Sequence, residues 1–254
     1  MPAVPPVLLL PPSKGKADGG DGPAFAATLD DAHPLAAPRR QVLEAVETAV
    51  PSLDDGALRR VAGVAARDVD TARRVLGDLG AAATLPAHRR YTGVVHGNAG
   101  LADLDPATTT VLLRIVSPLL GLVAPEEPVP GYRLELGAVL PGLGGLGPFW
   151  RDALAAHLAA LCSGRRVWDL LPGEHRRIWT AEVRTDLDVV DVRFLRPDGR
   201  AANAARTKLA KGRIAAAVLA EPTLDPADLA DAAALDAGWR LRTDGDGVVA
   251  TYHG

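Results

Sequence analysis

The chain has 254 residues, of which 48% are hydrophobic and 23% charged, a balance typical of a globular protein with a buried core. Its 28 Lys and Arg against 31 Asp and Glu give a formal net charge of -3, without the basic excess usual in dedicated nucleic-acid binders. A single cysteine, Cys162, excludes an internal disulfide, and no segment approaches the roughly 20 apolar residues that a membrane helix needs. We therefore expect a cytoplasmic protein with no membrane partner.

The first half of the chain predicts one buried strand followed mainly by helices. The apolar run Val7-Leu8-Leu9-Leu10 predicts a short buried strand, and a loop rich in proline and lysine follows it. Apolar residues at helical spacing predict helices over residues 38–50, 54–64 and 68–79. A loop is expected over residues 84–90, a strand end over 91–95 and a helix opening at Asp105 and Pro106.

The second half predicts strands and helices that interleave without a regular βαβ rhythm. Strands are predicted over residues 111–116, 132–136, 166–170 and 188–194, and helices over residues 149–162, 206–219 and 226–235. The chain closes with a predicted hairpin of residues 239–242 and 248–252 around the turn Asp244-Gly245-Asp246-Gly247. This mixture predicts a single α+β domain over residues 1–254.

Residues 131–137 carry a charged pair that is unusual in so apolar a chain. Arg133 and Glu135 are two positions apart, so in an extended strand they project from the same face, with Tyr132 beside them. We interpret the pair as the lip of a site. The alternative is a plain exposed ion pair, which contributes only about 0–1 kcal/mol to stability.

Two lysine-bearing segments are candidate anion sites. Ser13-Lys14-Gly15-Lys16 follows the first strand, and its backbone amides and ammonium groups can hold a phosphate or carboxylate, although it lacks the spacing of a Walker A loop. Lys208 and Lys211 are three residues apart on one helical face, where a partly buried lysine can bind an anion or act as base or nucleophile. For both segments the alternative is a solvated surface.

Weaker signals come from hydroxyl, imidazole and glycine-rich positions. Tyr91 and Thr92 offer hydroxyl donors, although a tyrosine at a strand end can equally cap the core. His96, His157 and His175 share no metal-ligand spacing, so we expect neither a metal nor another cofactor. Residues 140–144, Leu-Pro-Gly-Leu-Gly, are similar to the hairpin of a helix-hairpin-helix motif, but a glycine-rich loop is the commoner explanation.

Taken together, segments along almost the whole chain resemble the YaaA family, also called DUF328 or UPF0246. The matching segments are Leu-Pro-Pro-Ser-Lys-Gly-Lys at 10–16, Tyr-Thr-Gly at 91–93, residues 116–121, 131–137, 149–150, 169–179, Thr-Lys-Leu-Ala-Lys-Gly at 207–212, and Gly-Trp at 238–239. The resemblance implies a compact α+β fold of the YaaA type, with a mixed sheet surrounded by helices. It also implies a role in the peroxide stress response, through limitation of free iron, and binding to double-stranded DNA.

The resemblance also suggests which residues form the site, since Lys16, Arg133, Glu135, Lys208 and Lys211 match family positions. We expect one polar, anion-accepting cleft. Its candidate catalytic residues are Lys16, Glu135 and Lys208, and its candidate ligand-binding residues are Ser13, Tyr91, Thr92, Tyr132, Arg133 and Lys211. Two functions remain open: a DNA-binding stress protein, or an enzyme of specialised metabolism acting on a small polar or anionic ligand such as a nucleobase or an amide donor.

The chain departs from the family pattern at four informative positions. Leu120 stands where an aromatic residue is usual, Ala124 where an arginine is usual, Leu171 where an arginine precedes a serine, and His175 where a tyrosine is typical. These changes remove charged and aromatic groups from expected site positions. They predict an altered pocket and favour a ligand other than the usual one of the family.

Overall fold

The structure, a computed structural model, describes residues 4–245 and 247–253. Its strands are β1 (Val7–Leu10), β2 (Thr84–Pro86), β3 (Leu112–Ser117), β4 (Gly121–Val123), β5 (Pro128–Pro130), β6 (Val139–Leu140), β7 (Gly144–Gly145), β8 (Arg166–Asp169), β9 (Asp188–Leu195), β10 (Trp239–Asp244) and β11 (Gly247–Tyr252). Its helices are α1 (Ala36–Ala49), α2 (Asp55–Ala62), α3 (Val69–Gly77), α4 (Ala87–Arg90), α5 (Val94–Asn98), α6 (Leu146–Cys162), α7 (Ala181–Thr185), α8 (Ala204–Ala220) and α9 (Leu229–Ala232).

Seven of the strands form one mixed sheet in the order β10-β11-β9-β8-β1-β3-β4. The inner strands β11, β9, β8, β1 and β3 are parallel, whereas β10 and β4 pair antiparallel at the two edges. All of β1 is buried, as its unbroken apolar sequence predicts for a strand covered on both faces. The parallel strands end at a common edge of the sheet, which is the usual place for a ligand site in such sheets.

Two long helices cover the sheet and are held by specific contacts. On α6, the indole of Trp150 is buried and its Nε1 donates a hydrogen bond of 2.8 Å to the carbonyl oxygen of Pro118 after β3. On α8, Gly212 lies so close to α5 that a Cβ there would overlap that of Asn98 and lie 2.7 Å from the carbonyl oxygen of Val95. The second contact packs α8 directly against α5.

The α+β prediction is confirmed, and the elements with strong local patterns are close to their predicted ranges. They include β1, β3, β8 and β9, the helices α1, α2, α3, α6 and α8, and the β10–β11 hairpin. Of the predicted turn in that hairpin, Asp246 lies outside the described residues. Among the residues that the structure describes, there is no helix with the length and apolarity that crossing a membrane requires.

Three local predictions are wrong, two because of tertiary partners and one because of a local turn. Residues 84–90 are not a loop, since β2 pairs antiparallel with β5 and continues into α4. Residues 91–95 are not a strand end: Tyr91 forms an isolated bridge with Lys16, and α5 then begins at Val94. Asp105 opens a turn and not a helix, because its side chain accepts a hydrogen bond from the backbone of Ala107.

The predicted strand over residues 132–136 is also absent from the structure. This segment is irregular, and the Glu135 amide donates a hydrogen bond to the carbonyl oxygen of Val61 at the end of α2. A helix end offers isolated acceptors and not a ladder of them, so no strand pairing can propagate there.

Candidate functional site

A cavity of about 720 Å³ opens at the edge of the sheet where β1, β8 and β9 end. Its walls come from residues 11–16, 62–63, 93–96, 132–135, 171–176 and 192–195, and from Pro118. The first two turns of α8 and the short segment that leads into this helix complete the wall. The carboxyl ends of parallel strands meet here, so loops that are distant in sequence converge on one space.

The structure brings seven of the nine predicted site residues to this cavity. They are Ser13, Lys16, Tyr132, Arg133, Glu135, Lys208 and Lys211. The other two lie beside it: the Tyr91 side chain is buried behind Lys16, and Thr92 is exposed to solvent next to Gly15. The chain thus gathers residues from three separate segments into the cavity, with a fourth segment, residues 91–92, beside it.

Lys16 sits between a backbone oxygen and two aromatic rings. Its Nζ donates a hydrogen bond of 2.8 Å to the carbonyl oxygen of Ser13 and lies 4.0 Å from the ring centre of Tyr132 and 5.4 Å from that of Tyr91. Burial, with a smaller contribution from the positive charge of Arg133, lowers the pKa of Lys16 to about 7. Much of the amine is therefore uncharged near neutral pH.

A chain of buried hydroxyl groups fixes the rings beneath Lys16. The Tyr132 hydroxyl is 2.9 Å from that of Tyr91 and 2.9 Å from Oγ of Ser117 at the end of β3, and Ser117 in turn accepts a hydrogen bond from the amide of Leu120. Burial raises the pKa of both tyrosines, so their hydroxyls stay protonated. We did not predict Ser117 as a site residue, since a serine before a proline resembles an ordinary strand end.

Arg133 and Glu135 reach the cavity although they are not in a strand. Nη1 of Arg133 donates a hydrogen bond of 2.5 Å to the carbonyl oxygen of Lys14, and a carboxylate oxygen of Glu135 lies 2.6 Å from Nζ of Lys14. Glu135 packs over Gly63, whose φ of +63° and lack of a Cβ leave room for the carboxylate. The two side chains clamp the loop that follows β1.

Lys208 and Lys211 provide positive charge at the opposite wall. Lys211 is buried; its Nζ donates a hydrogen bond of 2.6 Å to the carbonyl oxygen of Leu170 and lies 5.6 Å from the ring centre of Phe194. Burial, reinforced by Arg176, lowers the pKa of Lys211 to about 8. Lys208, one turn earlier, is exposed at the mouth of the cavity.

Two histidines that the sequence did not identify as site residues, His96 and His175, line the cavity. His96 is buried and stacks on Tyr91 with ring centres 5.4 Å apart, and burial lowers its pKa to about 3, so the imidazole is neutral. Neither of its ring nitrogens has a hydrogen-bond partner within the described residues. His175 is also buried, and burial lowers its pKa. In the described part of the chain no group of three His, Cys, Asp or Glu is arranged to hold a metal ion.

The four departures from the family pattern divide between the cavity and the core. Leu171 and His175 line the cavity, so these two changes alter its wall. Leu120 and Ala124 are instead buried around β4, where Nε of Arg39 donates a hydrogen bond of 3.0 Å to the carbonyl oxygen of Leu120. The expectation that all four positions shape the site is therefore wrong for this second pair.

The glycine-rich stretch at residues 140–144 lies outside the cavity. It links β6 and β7, two strands of two residues that pair antiparallel, and α6 begins directly after them. A helix-hairpin-helix motif needs a helix on each side of its hairpin, but the described segment before β6 is irregular. The loop interpretation of this stretch is the better one.

A buried ion cluster supports the wall beside Lys211. Asp169, at the end of β8, is fully buried, and its Oδ2 lies 3.5 Å from Nε of Arg176 and 3.4 Å from Nη2 of Arg184. Both arginines also pair with Asp191 on β9. Burial raises the pKa of Asp169, against the opposing effect of Arg176. The cluster joins two neighbouring strands to the segment that contains His175.

Comparisons with known proteins agree with the resemblance drawn from the sequence. A UPF0246 protein of Streptomyces coelicolor is 32% identical over 245 residues, which covers 89% of this chain and 88% of the relative. A UPF0246 protein of Corynebacterium efficiens is 30% identical, covering 68% of this chain and 69% of the relative. Residues 7–244 match the sequence model of the family described as Peroxide stress protein YaaA. The chain therefore belongs to the YaaA family.

Proposed function

We propose that the protein is a cytoplasmic enzyme that binds a small organic anion in this cavity and uses Lys16 on it as a base or nucleophile. The observation that carries the proposal is the convergence of Lys16, Arg133, Lys208 and Lys211 on one concave space. Buried amines with lowered pKa values are costly to maintain and are concentrated at functional sites. If these lysines served only as part of a solvated surface, their amines would be expected to remain in water.

The size and walls of the cavity favour a small molecule. A volume of about 720 Å³ falls within the roughly 300–1,000 Å³ usual for small-molecule sites. Leu171, Phe194 and Pro12 supply apolar wall area, and the charged groups stand at separate points around it. Such a lining suits an organic molecule with an apolar or planar body and at least one anionic group.

The balance of charge favours an anion over a cation. Of the two acidic residues at the cavity, Glu135 is paired with Lys14, and Glu174 lies 3.5 Å from Nδ1 of His175. Lys208 and Lys211 make no ion pair with any described residue. The positive charge of Lys211 is buried in the cavity wall, where a rigid duplex cannot reach it, whereas Lys208 and Arg133 are exposed to solvent. The burial of Lys211 supports the small-ligand hypothesis over DNA as the primary partner.

Titration with 8-anilinonaphthalene-1-sulfonate, a small aromatic sulfonate, tests the proposal. We expect its fluorescence to rise on binding to the folded protein, and its affinity to fall by about tenfold in Lys211→Met, as expected for loss of one charge-assisted contact of about 1.4 kcal/mol. Arg240→Gln, which removes an exposed charge from strand β10, is the matched control. Equal affinity of the wild type and both variants would refute the proposal.

The description of the family also leads us to propose a role in the peroxide stress response. We expect the chain to restore survival in hydrogen peroxide to a bacterial strain that lacks its own YaaA protein, and expect Lys16→Met to fail at equal expression. Full rescue by that variant would show that the role in peroxide stress does not depend on Lys16 in the cavity.

Binding to double-stranded DNA stays a prediction from the resemblance. Its test is fluorescence anisotropy with a labelled duplex at low salt, where a genuine DNA binder shows an affinity that falls steeply as salt is added. If the duplex binds and competes with the sulfonate, the small-ligand proposal is wrong about the primary partner.

A further inference from the structure

The surroundings of Lys16 carry a more specific inference, which rests on the proposed function of the cavity. We propose that Lys16 is a covalent nucleophile, and that it forms an imine with a small aldehyde or ketone that also carries a carboxylate or phosphate. Anion binding alone would require neither a free amine on the protein nor a carbonyl group on the ligand.

The amine of Lys16 belongs to a side chain that lines the cavity, and a backbone oxygen anchors it. In the uncharged state Nζ of Lys16 has two protons; one is donated to the carbonyl oxygen of Ser13 at 2.8 Å, and the face of the Tyr132 ring lies 4.0 Å away. The side chain is partly accessible, and its carboxylate neighbour Glu135 is held by Lys14 at 2.6 Å. The amine is thus anchored without being neutralised by an ion pair.

Two aromatic rings partly offset the cost of the positive charge on a protonated imine, which burial and Arg133 disfavour as they do for the ammonium form. The rings of Tyr132 and Tyr91 lie 4.0 Å and 5.4 Å from Nζ of Lys16, within the range of cation–π attraction. Behind them the neutral imidazole of His96 adds no competing charge. Arg133, which is close enough to depress the pKa of Lys16, supplies a guanidinium for the anionic group of the ligand.

The proposed step balances without an added oxidant or reductant. Nζ of Lys16 attacks the carbonyl carbon and a C–N bond forms. The carbonyl oxygen leaves as water with the two protons of the amine, and a proton from solvent completes the iminium ion. The anionic group of the ligand stays on Arg133, so the carbonyl is presented to the amine in a fixed orientation.

Reductive trapping of the folded, full-length protein tests the inference. Glyoxylate is the probe, and cyanoborohydride delivers hydride to the imine carbon, leaving a stable secondary amine that peptide mass spectrometry can locate. Lys14, two residues away with a side chain 75% exposed, is the internal control. We expect Lys16 to be labelled at least ~10-fold faster than Lys14 at neutral pH, because an ordinary lysine of pKa about 10.4 is almost entirely protonated there.

Two further measurements decide the outcome. In urea-unfolded protein we expect Lys16 and Lys14 to react with glyoxylate at the same rate. In Lys16→Arg we expect the preferential label to disappear, while glyoxylate still displaces the sulfonate probe. Equal labelling of Lys16 and Lys14 in the folded protein would overturn the covalent inference. If glyoxylate still displaces the sulfonate probe in that case, the cavity binds anions without a covalent step. If glyoxylate neither labels Lys16 preferentially nor displaces the probe, both proposals fail.

Discussion

The buried amine of Lys16 should make the stability of the protein rise with pH, as a salt-bridged carboxylate does at lower pH, because each group has a lower pKa in the folded protein than in the unfolded chain. Its pKa is about 7 in the folded protein and 10.5 as the ordinary value. The unfolded chain therefore holds about half a proton more at this site at pH 7, and nearly one proton more by about pH 9. The free energy of unfolding therefore rises with pH in that window. At 1.36 kcal/mol per unit, and allowing for partial solvent access, the gain is about 2 kcal/mol.

Urea unfolding of the wild type and of Lys16→Met at pH 7 and about pH 9 measures this gain. We expect the wild type to improve relative to the variant by about 2 kcal/mol across the window, whereas below about pH 6 the difference should be constant, because both states are then protonated. Lys208→Met, at the exposed mouth of the cavity, is the control and should show no such change. A wild-type-to-variant difference that does not change with pH would refute burial of the amine.

Three substitutions test contacts that position the site. Gly63→Ala should cost about 1–2 kcal/mol for its left-handed backbone and more because its Cβ overlaps Glu135, and it should weaken binding of the sulfonate. Gly212→Ala should cost about 1–3 kcal/mol, since the new Cβ overlaps that of Asn98 and pushes α8 from α5. Asp169→Asn should cost about 3 kcal/mol by leaving two arginines without a full counter-charge. Urea unfolding measures each change.

Each of these substitutions has a matched control in the chain. Gly100→Ala has the same backbone strain, at φ +68°, with no atom near the new Cβ. Gly77→Ala, at the end of α3 in open space, should be neutral or stabilising by up to about 1 kcal/mol. Asp188→Asn breaks an exposed pair with Arg166 and should cost about 0–1 kcal/mol. A variant that costs no more than its control would show that the contact in question does not hold the site.

Much of the architecture follows from local patterns. The run of four apolar residues in β1 has no polar position that could face water, so it predicts a strand buried on both faces, as found. The long helices α6 and α8 are within a few residues of their predicted ranges, because an amphipathic pattern repeated over several turns is a strong signal. Lys16 is a candidate from the sequence because it lies in a lysine-bearing loop after a buried strand and matches a lysine of the family pattern.

Short-range patterns failed where a distant partner decides the conformation. Residues 132–136 alternate like a strand, but no neighbouring strand supplies a ladder, and the backbone bonds to the end of α2. Arg133 and Glu135 still share one side, because Lys14 binds both: the backbone of Lys14 accepts from the guanidinium, and its ammonium pairs with the carboxylate. Arg133 and Glu135 line the cavity, in agreement with their interpretation as the lip of a site. The strand that was predicted to carry them is not formed.

The sequence by itself determined the family, the α+β class and the main buried elements, because these depend on hydrophobic periodicity and on motifs that recur in order along the chain. Only the tertiary structure decided which charged side chains lie together at the cavity. Whether a lysine is solvated or buried depends on residues brought from four separate segments, and only their packing lowers the pKa of Lys16 to about 7. It also revealed His96 and Ser117, since burial beside a cavity leaves no mark in the local sequence.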